Sequence, residues 1–514
     1  MTESSSNSKY WLDQVVETVN QTYPKGEIIV SSGISPSASY HVGHFREILT
    51  VDVIAWGLRQ SGRQARHIHV VDNFDPLRKR YDFLPEKYEQ YVGQPVCLIP
   101  DPAGNCHDSY AAHYYADFKS YTKLIGVEAE TVFSYQDLYK TGKMNAQIEK
   151  TLANVAKIRT IFEKVSERKL PADWTPVQVI GQDKIMRNGQ VDSWDEAKHT
   201  INNLPYLNGN AKLNWRLDWP ARWQVLNVMV EPHGMEHATK GGSYDTGAAF
   251  AKDVFGFEPP LAIAQYAFIH LPGESTKMSS SKGNLLTPDQ VFEVIPNELL
   301  RYFTVKSRPD KTLYFDPGAG IYRLWEEFKQ VEHAIANGKP SEFSQAYRVA
   351  TAHSKGRVTS DVPFDHLVSV YQAALGKRGR INELLQRSGY EAAVKDQASI
   401  LEDEISYAKT WLNKFAPASV KFSLQDTLPV VELSSEQKMF LSELADRIDK
   451  AGTLDAQAMH ETIYAAKDEA KLDPKQAFQA IYGVLLNQDS GPKAGWFLAS
   501  LDKQWLINRL NLKG

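Results

Sequence analysis

The 514-residue chain is too long for one compact core, so two to four domains are expected. Its 42% hydrophobic and 23% charged residues are ordinary for a globular protein, and the net charge of −4 excludes a surface that is basic all over, so any nucleic acid must meet a local patch. Two cysteines, Cys97 and Cys106, exclude a four-thiolate zinc site and a disulfide framework.

Other classes are excluded by pattern. No apolar run is long enough to cross a bilayer. The polar start MTESSSNSK has no apolar h-region, so no secretory signal is expected, and reduced thiols in a cytoplasmic setting follow. Cys106 is followed by His107, which allows a mixed metal site on paper, but no structural zinc is expected.

Tyr10 to Asn20 reads as a helix, with Trp11, Val15 and Val19 four apart, and Tyr23-Pro24-Lys25-Gly26 ends it. Ile28-Ile29-Val30 is a short buried strand. After a Ser, Gly and Pro loop, His41-Val42-Gly43-His44 opens a helix ending before Ser61-Gly62, with Phe45, Ile48, Leu49, Ala55 and Trp56 near one face. A second apolar run, His67 to Val71, leads into Asp72-Asn73-Phe74-Asp75. Strand, loop, helix and strand make the first unit of a doubly wound parallel sheet.

Ligands of such sheets bind beyond the carboxyl ends of the strands, where a helix N-terminus favours anions. Gly43 has no Cβ and lets a nucleotide approach the backbone. His41 and His44 could donate hydrogen bonds to a phosphate. The stretch carries neither a Walker loop nor the dinucleotide glycine fingerprint.

From Pro85 to Asn210 the character changes, with a turn cluster at Pro100-Asp101-Pro102-Ala103-Gly104 and helical patterns at Ser109 to Ile125 and Met144 to Arg168. This reads as an insertion between two halves of a nucleotide fold. The second half runs from Asn214 to about His270. Trp215, Trp219 and Trp223 recur every four residues, as a packed stripe on a helix or, given Pro220, as a loop lining a pocket. Glu231 to Asp245 is rich in Gly, His and acids and poor in apolar residues, the composition of a site rim. Ala262 to His270 reads as the last central strand.

Lys277 to Asn284 reads KMSSSKGN, a Gly/Ser loop with lysines at both ends that can wrap a polyphosphate. Thr287-Pro288-Asp289 then starts a helix. The remainder is predominantly helical: Asn297 to Phe303, periodic stretches at Leu367 and at Met439 to Ile448, a helix after Asp473-Pro474, and a final segment from Trp496 to Leu512. Phe343 to Pro363 is polar and reads as a linker or loop.

In this order, HVGH and KMSSSKGN resemble the HIGH and KMSKS signatures of class I aminoacyl-tRNA synthetases. SGISPSASYHVGHFRE, DNFDPLRK, LNWRLDWPARW, EPHGMEHATKGGSYDTG and the tail GPKAGWFLASLD resemble the class I lysyl-tRNA synthetase family, and the likeness covers most of the chain. It implies an α/β fold: a doubly wound parallel-sheet catalytic domain (1–84 and 213–295), an inserted acceptor-end subdomain (85–212), a helical stem-contact region (296–345) and an all-α anticodon-binding domain (346–514).

The resemblance also implies an activity, lysine–tRNA ligation with ATP and Mg²⁺, with tRNA(Lys) and L-lysine as partners, no membrane, and a monomer. The catalytic groups would be His41, His44, Lys277 and Lys282, since Ser280 stands where the usual middle lysine lies. ATP would meet Gly43, Gly241, Gly242, Asp245, Met278, Ser279, Ser280 and Ser281. The amino acid would meet Gly33, Ser35, Asp72, Trp219, His237 and Tyr266. The ε-ammonium needs a carboxylate, for which Asp72, Asp75, Asp218 and Glu236 are candidates. Members of the family often carry a cysteine-rich zinc element, but VQVIGQDKIMRNGQVDSWDE has no cysteine, so this subdomain is expected to fold without metal. Residues alone leave open a paralogue charging another amino acid, a small-molecule adenylating ligase, and a non-catalytic tRNA binder.

Overall fold

Strand β1 (Ile28–Ile34) runs through the middle of the catalytic sheet because its apolar residues are buried on both faces. It pairs in parallel with β2 (Ala65–Val71), from Ile28↔Ala65 to Ile34↔Val71. Beyond β2 lies β3 (Glu130–Phe133), also parallel. On the other side of β1 the sheet continues as single parallel bridges, Val30↔Val230 and Val230↔Leu261. Helix α1 (Trp11–Thr22) packs on α2 (Phe45–Gln60) through Gly57, where a Cβ would come within 3.0 Å of Val16. This is the doubly wound α/β arrangement that the sequence implies.

The structure is a computed structural model that describes residues 10–172, 174–187, 191–273, 286–452 and 454–513. The chain divides into two units. The first holds Met1–Val291, Leu300–Phe315 and Arg348–His353. The second holds Phe292–Leu299, Asp316–Tyr347 and Ser354–Gly514. Among the described residues, no helix is long and apolar enough to cross a membrane.

Within the first unit, buried Arg46 of α2 donates to the carbonyls of Thr304, Arg308 (3.0 Å) and Pro309 (2.9 Å), fixing that returning segment against the sheet. Helix α3 (Tyr110–Leu124) is capped by the Ser109 hydroxyl. The cysteine-free stretch of the insertion forms short antiparallel strands, Val177–Ile180 with Met186–Arg187 and with Ala211–Leu213.

Several elements differ from the sequence expectation. Met144 to Arg168 is two helices, Asn145–Leu152 and Val155–Ser166. At the break, the Asn154 side chain bonds the Lys150 carbonyl and competes with the helical ladder. Ala262 to His270 is not one strand. Ala264 takes φ +57°, which no extended chain tolerates; Tyr266 meets Gly234 at a single parallel bridge, and Ile269–His270 pairs with Leu313–Tyr314. The tryptophan stripe does form a helix, Trp215–Val225, with Pro220 inside it and the Asn214 side chain as its cap.

The second unit is helical, as expected. Asp473 caps Pro474–Leu486 by accepting from the Gln476 N–H at 3.0 Å. The polar stretch from Phe343 contains a helix, Ser344–Ala350. The final segment breaks into Ala494–Ser500 and Lys503–Leu510, because Asp502 caps the second helix through the Trp505 N–H. Trp496 is buried, its indole donating to Ser388 Oγ at 2.7 Å, so it is part of the core.

Candidate active site

Two adjoining cavities open past the carboxyl end of β1. The larger, about 420 Å³, is walled by Ser35, His41, Gly43, His44, Glu47 and Tyr266, among others, and falls in the size range of small-ligand pockets. The smaller, about 200 Å³, is lined by Gly33, Trp219, Glu231, His237 and Tyr266 among others. Glu47, Ser35, His237 and Tyr266 face both.

The turn Val42–His44 precedes α2, and the two histidines close it reciprocally. His41 Nδ1 accepts from the Gly43 N–H at 3.2 Å, and His44 Nδ1 meets the His41 N–H at 3.1 Å. A neutral imidazole whose Nδ1 accepts carries its proton on Nε2, which sets His41 as a donor at the mouth of the larger cavity; His44 Nδ1 lies 3.1 Å from both the N–H and the carbonyl of His41, so its ring can take either tautomer. Their centroids lie 4.0 Å apart. The Val42 N–H donates to the Leu286 carbonyl at 3.1 Å, so the chain following KMSSSKGN returns beside this turn, while Phe268 and Ile269 on its other flank line the larger cavity. Lys277, Met278, Ser279, Ser280, Ser281 and Lys282 lie outside the described residues.

The smaller cavity is acidic, but its acids are of two kinds. Asp72 is buried and paired with Lys212 Nζ at 2.8 Å and Arg222 at 3.3 Å. Burial alone would raise its carboxyl, but those cations bring it down to about 2. Lys212 also holds Asp75, and Arg222 holds Asp218 at 3.2 Å, with the Tyr139 hydroxyl donating to Asp218 as well. Glu231 and Glu47 have no cation within 4.0 Å among the described residues. Trp219 Nε1 donates to Glu231 Oε1 at 2.8 Å, and Glu231 Oε2 has no hydrogen-bond partner among them. Glu47 Oε1 accepts from the Gly33 N–H at 2.9 Å, and the Tyr266 hydroxyl donates to this side chain. Burial pushes both carboxyls up to about 7. Trp219 stacks on Trp215 at 5.3 Å and lies 5.6 Å from His237.

Residues 9–356 match the family described as tRNA synthetases class I (K). The chain is 37% identical over 528 residues to lysine–tRNA ligase of Methanosarcina barkeri strain Fusaro, covering 97% of each chain. It is 36% identical over 491 residues to that of Archaeoglobus fulgidus (94% and 95% covered) and 34% over 532 residues to that of Methanocaldococcus jannaschii (98% and 99%). The chain belongs to the class I lysyl-tRNA synthetase family.

For a class I lysyl-tRNA synthetase, the sequence-derived site residues divide as follows. His41, Gly43, His44, Gly33, Ser35, Asp72, Trp219, His237 and Tyr266 all line one or both cavities. Gly241, Gly242 and Asp245 line neither; they start the helix Ser243–Phe250, with the Gly241 N–H donating to Asp245 Oδ2 at 2.8 Å. Glycine is required there: Gly241 has φ +70°, and a Cβ would sit 2.6 Å from the Val165 carbonyl. Sequence reasoning missed Glu47 and Glu231. Glu47 follows HVGH by three residues, on the helix turn facing the cavity, a spacing that could have flagged it.

The inserted region also assembles a group that could hold a metal. Asp101, Cys106, His107 and His113 offer four ligand atoms within 4.8 Å of one another. Cys106 Sγ lies 2.9 Å from Asp101 Oδ2, 3.1 Å from His107 Nδ1 and 3.4 Å from His113 Nδ1. A tetrahedron with zinc–ligand bonds of about 2.0–2.3 Å has edges of roughly 3.3–3.7 Å, so the set fits a zinc-like cation after small shifts. The expectation of no structural zinc rested on missing thiolates; this group needs only one.

Proposed function

We infer that the protein is a lysine–tRNA ligase, which activates L-lysine with ATP and transfers it to tRNA(Lys) in the cytoplasm, working as a monomer. The observation that carries the reading is the histidine-capped helix start beside a narrow acidic, tryptophan-walled cavity, in a chain related over nearly its full length to lysine–tRNA ligases. ATP occupies the larger cavity, with its phosphates toward the α2 N-terminus. The lysine carboxylate attacks the α-phosphate, forming an acyl–phosphate bond as pyrophosphate leaves. Charge grows on the α-phosphate oxygens, and the ring N–H groups of His41 and His44 stabilise it. Lys277 and Lys282 neutralise the β- and γ-phosphates, a charge that Mg²⁺ carried in with ATP would share. The terminal 2′-hydroxyl of tRNA then takes the lysyl group and releases AMP.

The helical region 346–514 reads the anticodon and the insertion 85–212 meets the acceptor end. Asp101, Cys106, His107 and His113 would hold a zinc-type cation that clamps the loop before α3.

The test is ATP–pyrophosphate exchange with each of the twenty amino acids, with and without total tRNA. Exchange confined to lysine, falling about 100-fold in His44→Ala, is expected. Exchange with a different amino acid alone would assign the chain to a paralogue, and none under either condition would leave a tRNA binder.

A further inference from the structure

Six acidic side chains lie in or next to the active-site cavities: Glu47, Asp72, Asp75, Asp218, Glu231 and Glu236. Three of them are answered within the protein. Lys212 and Arg222 pair with Asp72, Asp75 and Asp218, two cations among three carboxylates, and Asp218, whose carboxyl burial raises, lines neither cavity. His233, which also lines the smaller cavity, supplies no counter-charge: burial lowers its pKa, and its Nδ1 is engaged by the Glu231 carbonyl at 2.9 Å. Two carboxylates remain without a cationic partner among the described residues, Glu231 buried and Glu47 half-buried.

Their positions differ. Glu47 lines both cavities, at their junction, and is oriented by the Gly33 N–H and the Tyr266 hydroxyl. Glu231 lines only the smaller cavity, with Oε1 held by the Trp219 indole and Oε2 buried with no partner among the described residues. A buried carboxylate with an open acceptor costs several kcal/mol unless a ligand answers it. Lysine carries two ammonium groups, one at each end of an apolar stem.

On the ligase reading, the reacting carboxylate of lysine must sit where the cavities meet, next to the α-phosphate. The α-ammonium is two bonds from the carboxylate carbon and stays at that junction. The stem then runs into the smaller cavity between the Trp219 and Tyr266 rings. We propose that Glu47 receives the α-ammonium and Glu231 the ε-ammonium of lysine, so that Glu231, and not the already paired Asp72, is the residue that selects for a cationic side chain. This rests on the ligase reading.

Glu231→Gln and Glu47→Gln in the full-length enzyme, assayed by pyrophosphate exchange with tRNA(Lys) present, separate the two roles. The substrates are L-lysine and L-norleucine, which keeps the α-ammonium and the stem but lacks the ε-amino group. In Glu231→Gln the lysine KM rises about 100-fold with kcat changed far less, and the preference for lysine over norleucine falls by a similar factor. In Glu47→Gln both substrates suffer alike. Glu231→Asp, with the charge kept on a shorter stem, retains the preference at a raised KM. Folding is followed in parallel by melting temperature: Glu231→Gln melts at or above wild type, and lysine, which raises the wild-type melting temperature, no longer does so.

A Glu231→Gln lysine KM within threefold of wild type overturns the proposal while leaving the ligase reading intact. Equal losses for lysine and norleucine in that variant overturn it too. A wild-type enzyme without lysine-dependent exchange overturns the ligase reading, and the proposal falls with it.

Discussion

Two groups of carboxylates lie in or next to the active-site cavities, and they differ in what answers them. Asp72, Asp75 and Asp218 share Lys212 and Arg222, while Glu47 and Glu231 accept only neutral donors among the described residues. Asp72, between both cations, is lowered to about 2, whereas burial raises Asp218, which has Arg222 alone, and raises the two glutamates to about 7. The difference teaches that acidity of a pocket is not itself a recognition signal. A carboxylate paired inside the protein builds the wall, and one left unpaired waits for a ligand.

Breaking the wall gives the largest expected effect. Lys212→Met leaves Asp75 without a cation and Asp72 with only Arg222, which it shares with Asp218, and removing one member of a buried ionic network costs about 3–5 kcal/mol. Denaturant unfolding of this variant should show a loss of that size. A loss below about 1 kcal/mol would mean the network does not hold this cavity together.

The same contrast predicts opposite pH dependences. Glu231 is raised from 4.5 to about 7, first by burial, against the lowering by Trp219, Ser31 and Arg222 and with a small raise from Glu47. The native state therefore holds a proton between those values that the unfolded chain has released. The contribution is fully present below about 4.5 and is lost as pH rises through about 7, on the order of 3 kcal/mol. Glu47, with Tyr266 and Glu236 nearby, behaves alike. Asp72 has the reverse sign: its contribution is present above the ordinary carboxylate range and is lost as pH falls toward about 2. Stability of the ligand-free wild type minus that of Glu231→Gln, measured from pH 4.5 to 8, should decline with pH. A flat difference would contradict an unpaired, buried Glu231.

How much of this was legible in the sequence follows from the range of the interactions involved. The strand, the HVGH turn and α2 are local: the helix stops where Ser61-Gly62 says it should, and the strand starts with its apolar run, though it continues four residues past it to Ile34. Asp473 as a helix cap was equally local. The pairing of Asp72 was not, because Lys212 is 140 residues away and nothing near either residue announces the other. For that reason Asp72 stood among the recognition acids in the sequence and Glu231 did not. The irregular second half of the sheet was also illegible, since its extended segments meet at single bridges, with no run of paired residues to give an alternating pattern.

The Asp101, Cys106, His107 and His113 group sharpens the comparison from outside the cavities, because there an acid, a thiol and two imidazoles answer one another with no lysine or arginine paired to them among the described residues. The adjacent Cys106 and His107 were visible in sequence, whereas His113 joins only because α3 begins between them and it. Protein refolded with one equivalent of zinc and then desalted should retain it by atomic emission, and Cys106→Ser should not. At zinc a hundredfold above its dissociation constant the stabilisation is about 2.7 kcal/mol, seen as a higher melting temperature that a chelator reverses. Protein that retains no zinc would leave these four side chains as a hydrogen-bonded turn.

The smallest effect lies in the helical unit, where interactions are local and no charge is left unanswered at the position tested. Asp473→Ala removes an exposed cap that accepts one N–H, from Gln476, and costs about 1 kcal/mol. Pro474, at the first helical position, keeps φ set for the helix and limits the loss. Far-ultraviolet circular dichroism should report a slightly lower melting temperature, and lysine-dependent pyrophosphate exchange should be unchanged, because Asp473 lines neither cavity of the first unit. A cap mutation that weakened exchange would break the distinction between residues that shape the helices and the unpaired acids that meet the substrate.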